Sequence, residues 1–189
     1  MPRIRKYKKE DREAVQYICL QTSVGEKSPM EWQRHILNLY CNYYIDCEPE
    51  NVFVAVDDSD RPVGYIFCST DFDIFKFIFT RDYLPILRCL GKNRVITARL
   101  ELLAHQLFRK DYPAHMHIDI LPEYQKMGLG TKLLQELFSY LKEKNCPGLQ
   151  LICDTGNDGG FAFYQKYGFE KLFRLNFLWE DFCVYGIRL

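Results

Sequence analysis

The chemistry-bearing residues of this chain crowd into one stretch, from His115 to Thr131, just ahead of an amphipathic run. Its second half, Gln125-Lys126-Met127-Gly128-Leu129-Gly130-Thr131, reads as a loop that carries a strand end onto a helix N-terminus. The first turn of a helix leaves its amides unpaired, so such a junction binds an anionic phosphate through backbone N–H groups. Gly128 and Gly130 let the backbone approach a ligand closely. A pyrophosphate-bearing cofactor is therefore the first expectation. In the first half, strand alternation puts His115, His117 and Asp119 on one face, opposite Met116, Ile118 and Ile120. Histidine has a convenient pKa for taking up a proton, whereas an aspartate needs burial to raise its own. The same polar face would serve equally as a structural hydrogen-bond network.

Positioning these groups requires a strand, a loop and a helix in that order. Leu133, Leu134, Leu137, Phe138 and Leu141 mark the helix, which Asn145, Pro147 and Gly148 stop. Leu149 to Cys153 is short and apolar enough for a buried strand, and Asn157 to Tyr167 predicts a helix ended by Gly168. Leu172 to Leu178 and Phe182 to Leu189 predict a closing antiparallel pair that turns at Glu180-Asp181. Upstream, Ile4 to Tyr7 forms a first strand, Asp11 caps a helix running to about Gln21, and Pro29 starts a second helix. Asn51 to Val56 and Arg61 to Ser69 make a hairpin across Asp57-Asp58-Ser59-Asp60. Residues 71 to 113 interrupt the strands with two helical stripes, Phe72, Phe75, Ile78 and Phe79, then Leu100, Leu103, Gln106 and Leu107. The stripes read as core, or as the wall of a substrate site. With no repeat or linker, one α/β domain over 1–189 is expected, a mixed sheet with helices on both faces.

Composition narrows the partners. Lys plus Arg and Asp plus Glu number 25 each, so nothing recommends a nucleic acid or an acidic membrane surface. No apolar signal core follows the basic N-terminus, and no apolar run approaches the roughly 18 residues of a membrane span. The eight cysteines are scattered, without a C-x-x-C pair, as buried free thiols are in a reducing cytoplasm. A cytoplasmic location is expected.

The glycine loop fits neither G-x-x-x-x-G-K-[ST] nor G-x-G-x-x-G. A second block, Asn157-Asp158-Gly159-Gly160-Phe161-Ala162-Phe163-Tyr164-Gln165-Lys166-Tyr167-Gly168-Phe169, follows after helix and strand. Together the two blocks resemble the GNAT superfamily of acetyl-CoA-dependent N-acetyltransferases, whose signature is [RQ]-x-x-G-x-[GA] followed by N-x-x-[AG]-x-x-[FL]-Y-x-x-x-G-F. Gln125, Gly128 and Gly130 match the first block, and Asn157, Gly160, Phe163, Tyr164, Gly168 and Phe169 match the second. Tyr112 to Pro122 is similar, more narrowly, to the subgroup related to the acetyltransferase-like domain of O-GlcNAcases. Two positions depart from the commoner pattern. Gln125 replaces arginine, and Gly160 replaces alanine at a helix-propensity cost of about 1 kcal/mol.

The resemblance implies a mostly antiparallel sheet whose central parallel pair splays to admit acetyl-CoA, with a helical insertion at about 71–113. It implies that backbone amides from Lys126 through Met127, Gly128, Leu129 and Gly130 to Thr131 hold the pyrophosphate, assisted by the Thr131 hydroxyl and the Gln125 side chain. Ile118, Ile120 and Leu121 would face the pantetheine arm, and Asn157 would hydrogen-bond it, beside Phe163 and Tyr164. The implied reaction is direct attack of a primary amine on the thioester in a ternary complex, without a metal. A backbone N–H near Ile118 to Ile120 would receive the oxyanion, and Tyr164 would protonate the departing thiolate. The base is open among Asp119, His117 and Glu123, in that order.

Two other classes compete. His115-x-His117-x-Asp119 also resembles part of a zinc-hydrolase motif, and the fold could instead serve a non-catalytic acyl-CoA-binding or sensor domain. The expected acceptor is a small-molecule amine, on a monomer or on a homodimer paired through Phe182 to Leu189.

Overall fold

The computed structural model describes residues 2–23 and 28–189. Seven strands form one sheet in the order β1-β2-β3-β4-β5-β7-β6. They are β1 (Arg3–Lys6), β2 (Phe53–Val56), β3 (Pro62–Ser69), β4 (Ala114–Ile120), β5 (Gly148–Asp154), β6 (Glu170–Phe177) and β7 (Glu180–Arg188). Every neighbouring pair is antiparallel except β4 and β5. These two run parallel and pair only at Ala114–Leu149 and His115–Gln150. Beyond His115 they diverge, because β4 follows β3 from Ser69–His115 to Gly64–Ile120 while β5 follows β7 out to Asp154–Phe182.

The foot of the splay is tightly built. Gln150 is fully buried and its Nε2 donates to the carbonyls of Tyr112 (2.7 Å) and His105 (3.2 Å), tying β5 to the chain entering β4. A Cβ at Gly148 would run into the Asp111 carbonyl and the Tyr112 ring, so only glycine fits there.

On one face lie α1 (Arg12–Ser23), α2 (Met30–Tyr40), α3 (Asn42–Cys47) and three helices inserted between β3 and β4. The inserted helices are α4 (Phe72–Ile78), α5 (Leu84–Leu90) and α6 (Lys92–Phe108). An aromatic core fastens them to the sheet. Tyr44 stacks on Phe67 of β3, and Phe75 meets Tyr43, Tyr44, Phe79 and His115. The opposite face carries α7 (Leu129–Glu143), with Leu133, Leu134, Leu137 and Leu141 fully buried, and α8 (Asp158–Lys166). Among the described residues no helix is long and apolar enough to cross a membrane.

Four expectations are corrected. The stripe containing Leu103 and Leu107 is not core, since both are more than half exposed and α6 instead buries Val95, Ala98, Leu102 and His105. Asp11 does not cap α1. It closes a short 3-10 turn, accepting the Lys8 amide and the Arg5 guanidinium. The final hairpin turns at Leu178-Trp179, with Glu180 already paired to Phe177. Finally, β7 lies inside the sheet with both edges taken, so it cannot pair across a dimer; β1 and β6 are the edges.

Candidate active site

The end of β4 passes through a 3-10 turn, Pro122–Tyr124, into the loop that opens α7. Lys126 and Gly128 take positive φ, 61° and 78°, the kind of backbone turn from which anion-binding nests of N–H groups are built. Gly128 is the N-cap of α7 and supplies no side-chain cap, so the first amides of the helix remain available to a ligand. Gly130 keeps the Phe163 ring unpressed, since a Cβ there would sit 3.3 Å from it, closer than ordinary contact.

This cradle opens into a cleft of about 520 Å³ where β4 and β5 diverge. Both sequence blocks meet on its walls. Ile118, Asp119 and Ile120 come from β4, Gln125, Lys126, Gly128, Gly130 and Thr131 from the cradle, and Asn157, Phe163 and Tyr164 from α8 and its cap. Gly159, Gly160 and Lys166 complete the lining.

Three side chains expected to face the ligand are engaged within the protein. Asn157 Oδ1 accepts the Gly160 amide (2.8 Å) and caps α8. Gln125 Nε2 donates to the Ile120 carbonyl (3.0 Å), and the Thr131 and Tyr167 hydroxyls bond each other at 2.5 Å. The cap also gives a local reason for Gly160, since a Cβ there would lie 2.7 Å from the Asn157 amide.

On the strand face, Tyr65 Oη donates to Asp119 Oδ2 at 2.5 Å. Burial pushes the Asp119 carboxyl up to about 6, against the hydrogen bonds from Tyr65 and Thr22 that pull it down. Tyr164 is 9% exposed, and burial, then the charges of Cys153 and Asp119, hold its phenol well above the usual value. A carboxyl that titrates near neutrality and a phenol that stays protonated thus line one cleft. Their environments push the two pKa values apart.

His117 lies on the same face but outside this cleft, edge-on to Tyr40 (5.4 Å), and burial lowers its pKa to about 3. His115 is 1% exposed among Tyr44, Phe75 and His105. Glu123 is exposed on the 3-10 turn, Leu121 and Leu129 are buried, and Met127 points to solvent. Leu121 and Leu129 can meet a ligand only through their backbones. The zinc arrangement fails: Asp119 is turned to Tyr65, and among the described residues no three His, Cys, Asp or Glu side chains are disposed to hold a metal ion.

Sequence reasoning missed Tyr65, whose partnership with Asp119 depends on the β3–β4 register. It also missed Glu101 of α6, which accepts the Tyr40 hydroxyl at 2.6 Å. Burial raises Glu101 to about 8, opposed by that hydrogen bond and reinforced by Glu180 and Asp154. Nothing local in either residue's neighbourhood along the chain signals these contacts.

Comparison with known proteins fits this geometry. The sequence model of the acetyltransferase (GNAT) family matches residues 20–169. N-alpha-acetyltransferase 30 of Schizosaccharomyces pombe is 24% identical over 133 residues, 70% of this chain and 66% of that protein, just under two thirds of its length. The crystal structure of SsHAT superposes with a TM-score of 0.82 at 25% identity, over 99% of this chain and 98% of that one. The NatC complex bound to Gag peptide and CoA gives a TM-score of 0.61 at 15% identity, over 100% of this chain and 98% of that one, a likeness of fold alone.

Proposed function

This chain belongs to the acetyltransferase (GNAT) family, and from that premise we propose that it moves the acetyl group of acetyl-CoA directly to a primary amine in a ternary complex. One observation carries the proposal. The amide cradle, the free edge of β4, Asp119 and Tyr164 all line the single cleft at the splay.

The residues present fit the donor. Amides turned by Lys126 and Gly128 and the open first turn of α7 suit two linked phosphates, with Lys126 and Lys166 at the rim. Acetyl-CoA supplies an acetyl group activated as a thioester. Asp119 takes the proton that the attacking ammonium must lose, and its raised pKa leaves it ionised yet basic at neutral pH. A backbone N–H of the Ile118–Ile120 edge stabilises charge on the carbonyl oxygen as the C–N bond forms. Tyr164 donates its proton to the departing sulfur. Asn157, Gln125 and Thr131 act on the donor indirectly, by shaping the walls that hold it.

The acceptor is a small-molecule amine. A peptide N-terminus offers the same chemistry and is the alternative, favoured by the name of the Schizosaccharomyces pombe relative and by the peptide in the NatC complex. The free thiols, five of them buried, suit a reducing compartment such as the cytoplasm.

Amine-dependent release of CoA across a panel of small amines and short peptides tests the proposal. Wild type is expected to turn over at least one amine, with Asp119→Asn and Tyr164→Phe each slower by roughly 10²–10⁴-fold. Tight CoA binding with no amine turned over would make the fold a binding domain. An unchanged rate in Tyr164→Phe would remove the phenol from the mechanism.

A further inference from the structure

One tyrosine behind the cleft wall joins the parts that would meet a diphosphate. Tyr167 is the C-cap of α8, half-buried and outside the lining of the cleft. It stands at an open position of the second sequence block, between Tyr164 and Gly168, so the family pattern assigns it nothing. Its hydroxyl reaches the first turn of α7 and bonds the Thr131 hydroxyl at 2.5 Å. Among the described residues no other hydrogen bond joins α8 to that turn.

The ring makes two more contacts. Phe163 packs against it with centroids 5.0 Å apart, and the Lys166 ammonium lies 5.6 Å from its centroid, within cation–π range. Phe163 in turn borders Gly130. Tyr167 therefore touches Thr131, Lys166 and Phe163, and all three line the cleft.

Its own backbone is held. Gly168 takes φ of 86° and ends the helix, while the amides of Tyr167 and Phe169 both donate to the Tyr164 carbonyl at 3.1 Å. The side chain thus starts from a fixed stop and not from a fraying end. The opposite partner lacks such support, because α7 begins at Gly128 without a side-chain cap and helix ends fray. Amides bind an anion best when they are aimed before it arrives, since ordering them on binding subtracts from affinity. A lysine head resting on a ring is likewise less free than one in water.

We propose, building on the reading of the glycine loop as a diphosphate cradle, that Tyr167 is a positioning residue for the acyl donor. Its hydroxyl steadies the first turn of α7 and its ring steadies Lys166, so amides and ammonium meet the diphosphate together. Tyr167 touches no reacting atom, and its effect belongs to the diphosphate alone.

Calorimetric titration with CoA, and with pantetheine as the same arm lacking the diphosphate, tests this. Tyr167→Phe keeps the ring and loses the hydroxyl. Its CoA affinity is expected to fall about three- to tenfold, with pantetheine affinity unchanged. Tyr167→Leu removes the ring as well and should bind CoA more weakly still, the additional loss shrinking as salt is raised. Thr131→Val breaks the same bond from the other side. Combined with Tyr167→Phe it should cost no more than the larger single loss, and Thr131→Ser, which keeps a hydroxyl, should bind CoA as wild type does.

Wild-type CoA affinity in Tyr167→Phe overturns the positioning role. An equal loss for CoA and pantetheine also overturns it, since a merely structural tyrosine would give that result. Fully additive losses in the double variant would show that the two hydroxyls act separately and overturn it too. Wild type failing to bind CoA would bring down the cradle and Tyr167 with it, whereas CoA binding without amine turnover sinks the proposed reaction alone.

Discussion

At the scale of single residues, Asp119 is where burial and hydrogen bonding pull against each other inside the cleft. Its carboxyl titrates near 6 when folded and near 3.8 otherwise, so the folded state holds the proton more firmly across that window. Stability therefore falls as pH rises from about 3.8 to 6, by roughly 3 kcal/mol at most. Asp119→Asn keeps an acceptor for Tyr65 and removes the charge. It should raise the thermal midpoint at pH 8, worth on the order of 2 kcal/mol, while lowering kcat, and differential scanning calorimetry beside a rate assay reads both. Tyr65→Phe removes the hydrogen bond that holds the carboxyl down. Its acid limb in the pH–rate profile should move to higher pH with little change in the plateau, whereas a purely structural tyrosine would lower the plateau and leave the limb in place. At this scale strand alternation was enough to put His115, His117 and Asp119 on one face. It could not show that Asn157, Gln125 and Thr131 spend their side chains on internal bonds, because those partners are set by loop geometry.

At the scale of elements, glycine spacing and helix periodicity were legible because backbone requirements are local. The cradle sits where Gly128 and Gly130 predict it, on the first turn of a helix whose apolar face matches Leu133 to Leu141. Gly130→Ala tests it. The added methyl presses on Phe163 at 3.3 Å inside the cleft, so CoA affinity measured by titration should fall about tenfold with the fold retained. Unaltered affinity would show that the phosphates bind elsewhere. The insertion was legible only in part. Phe72, Phe75 and Phe79 pack as their stripe predicts, but α6 turned its leucines Leu103 and Leu107 outward and its polar Glu101 and His105 inward. Periodicity marks a face; it does not say which of two faces meets a pocket. The last hairpin failed for a related reason, since Leu178 adopts positive φ and turns the chain at an apolar residue that carries no turn signal.

Across the whole molecule, all four histidines have lowered pKa, His35 and His105 to about 4, His117 to about 3, and His115 well below its usual value. The unfolded chain protonates them near 6.5 and the folded chain does not, so their contribution is complete above 6.5 and is lost as pH falls toward 4. Asp119 and Glu101 act in the opposite direction, gaining stability on acidification below about 6 and 8. Four groups against two leave a net loss. The thermal midpoint should therefore fall steadily between pH 6.5 and 4.5, and a flat profile by calorimetry would mean that the histidines are not held neutral. The sheet as a whole was legible in its mixed class from the strand-helix-strand pattern, and in its central parallel pair through the family resemblance. The edge order was not, since β7 slips between β5 and β6 by long-range pairing, which leaves the charged strand β6 outside.

The central claim is that the splayed cleft transfers an acetyl group to an amine with Asp119 as base. The dependence of kcat on pH at saturating amine, in wild type and in Asp119→Asn, tests it most directly. Wild type should rise through an apparent pKa near 6 to a plateau, and Asp119→Asn should lose that limb and most of the rate. The same limb and plateau in Asp119→Asn, or CoA binding with no amine-dependent turnover at any pH, would contradict it.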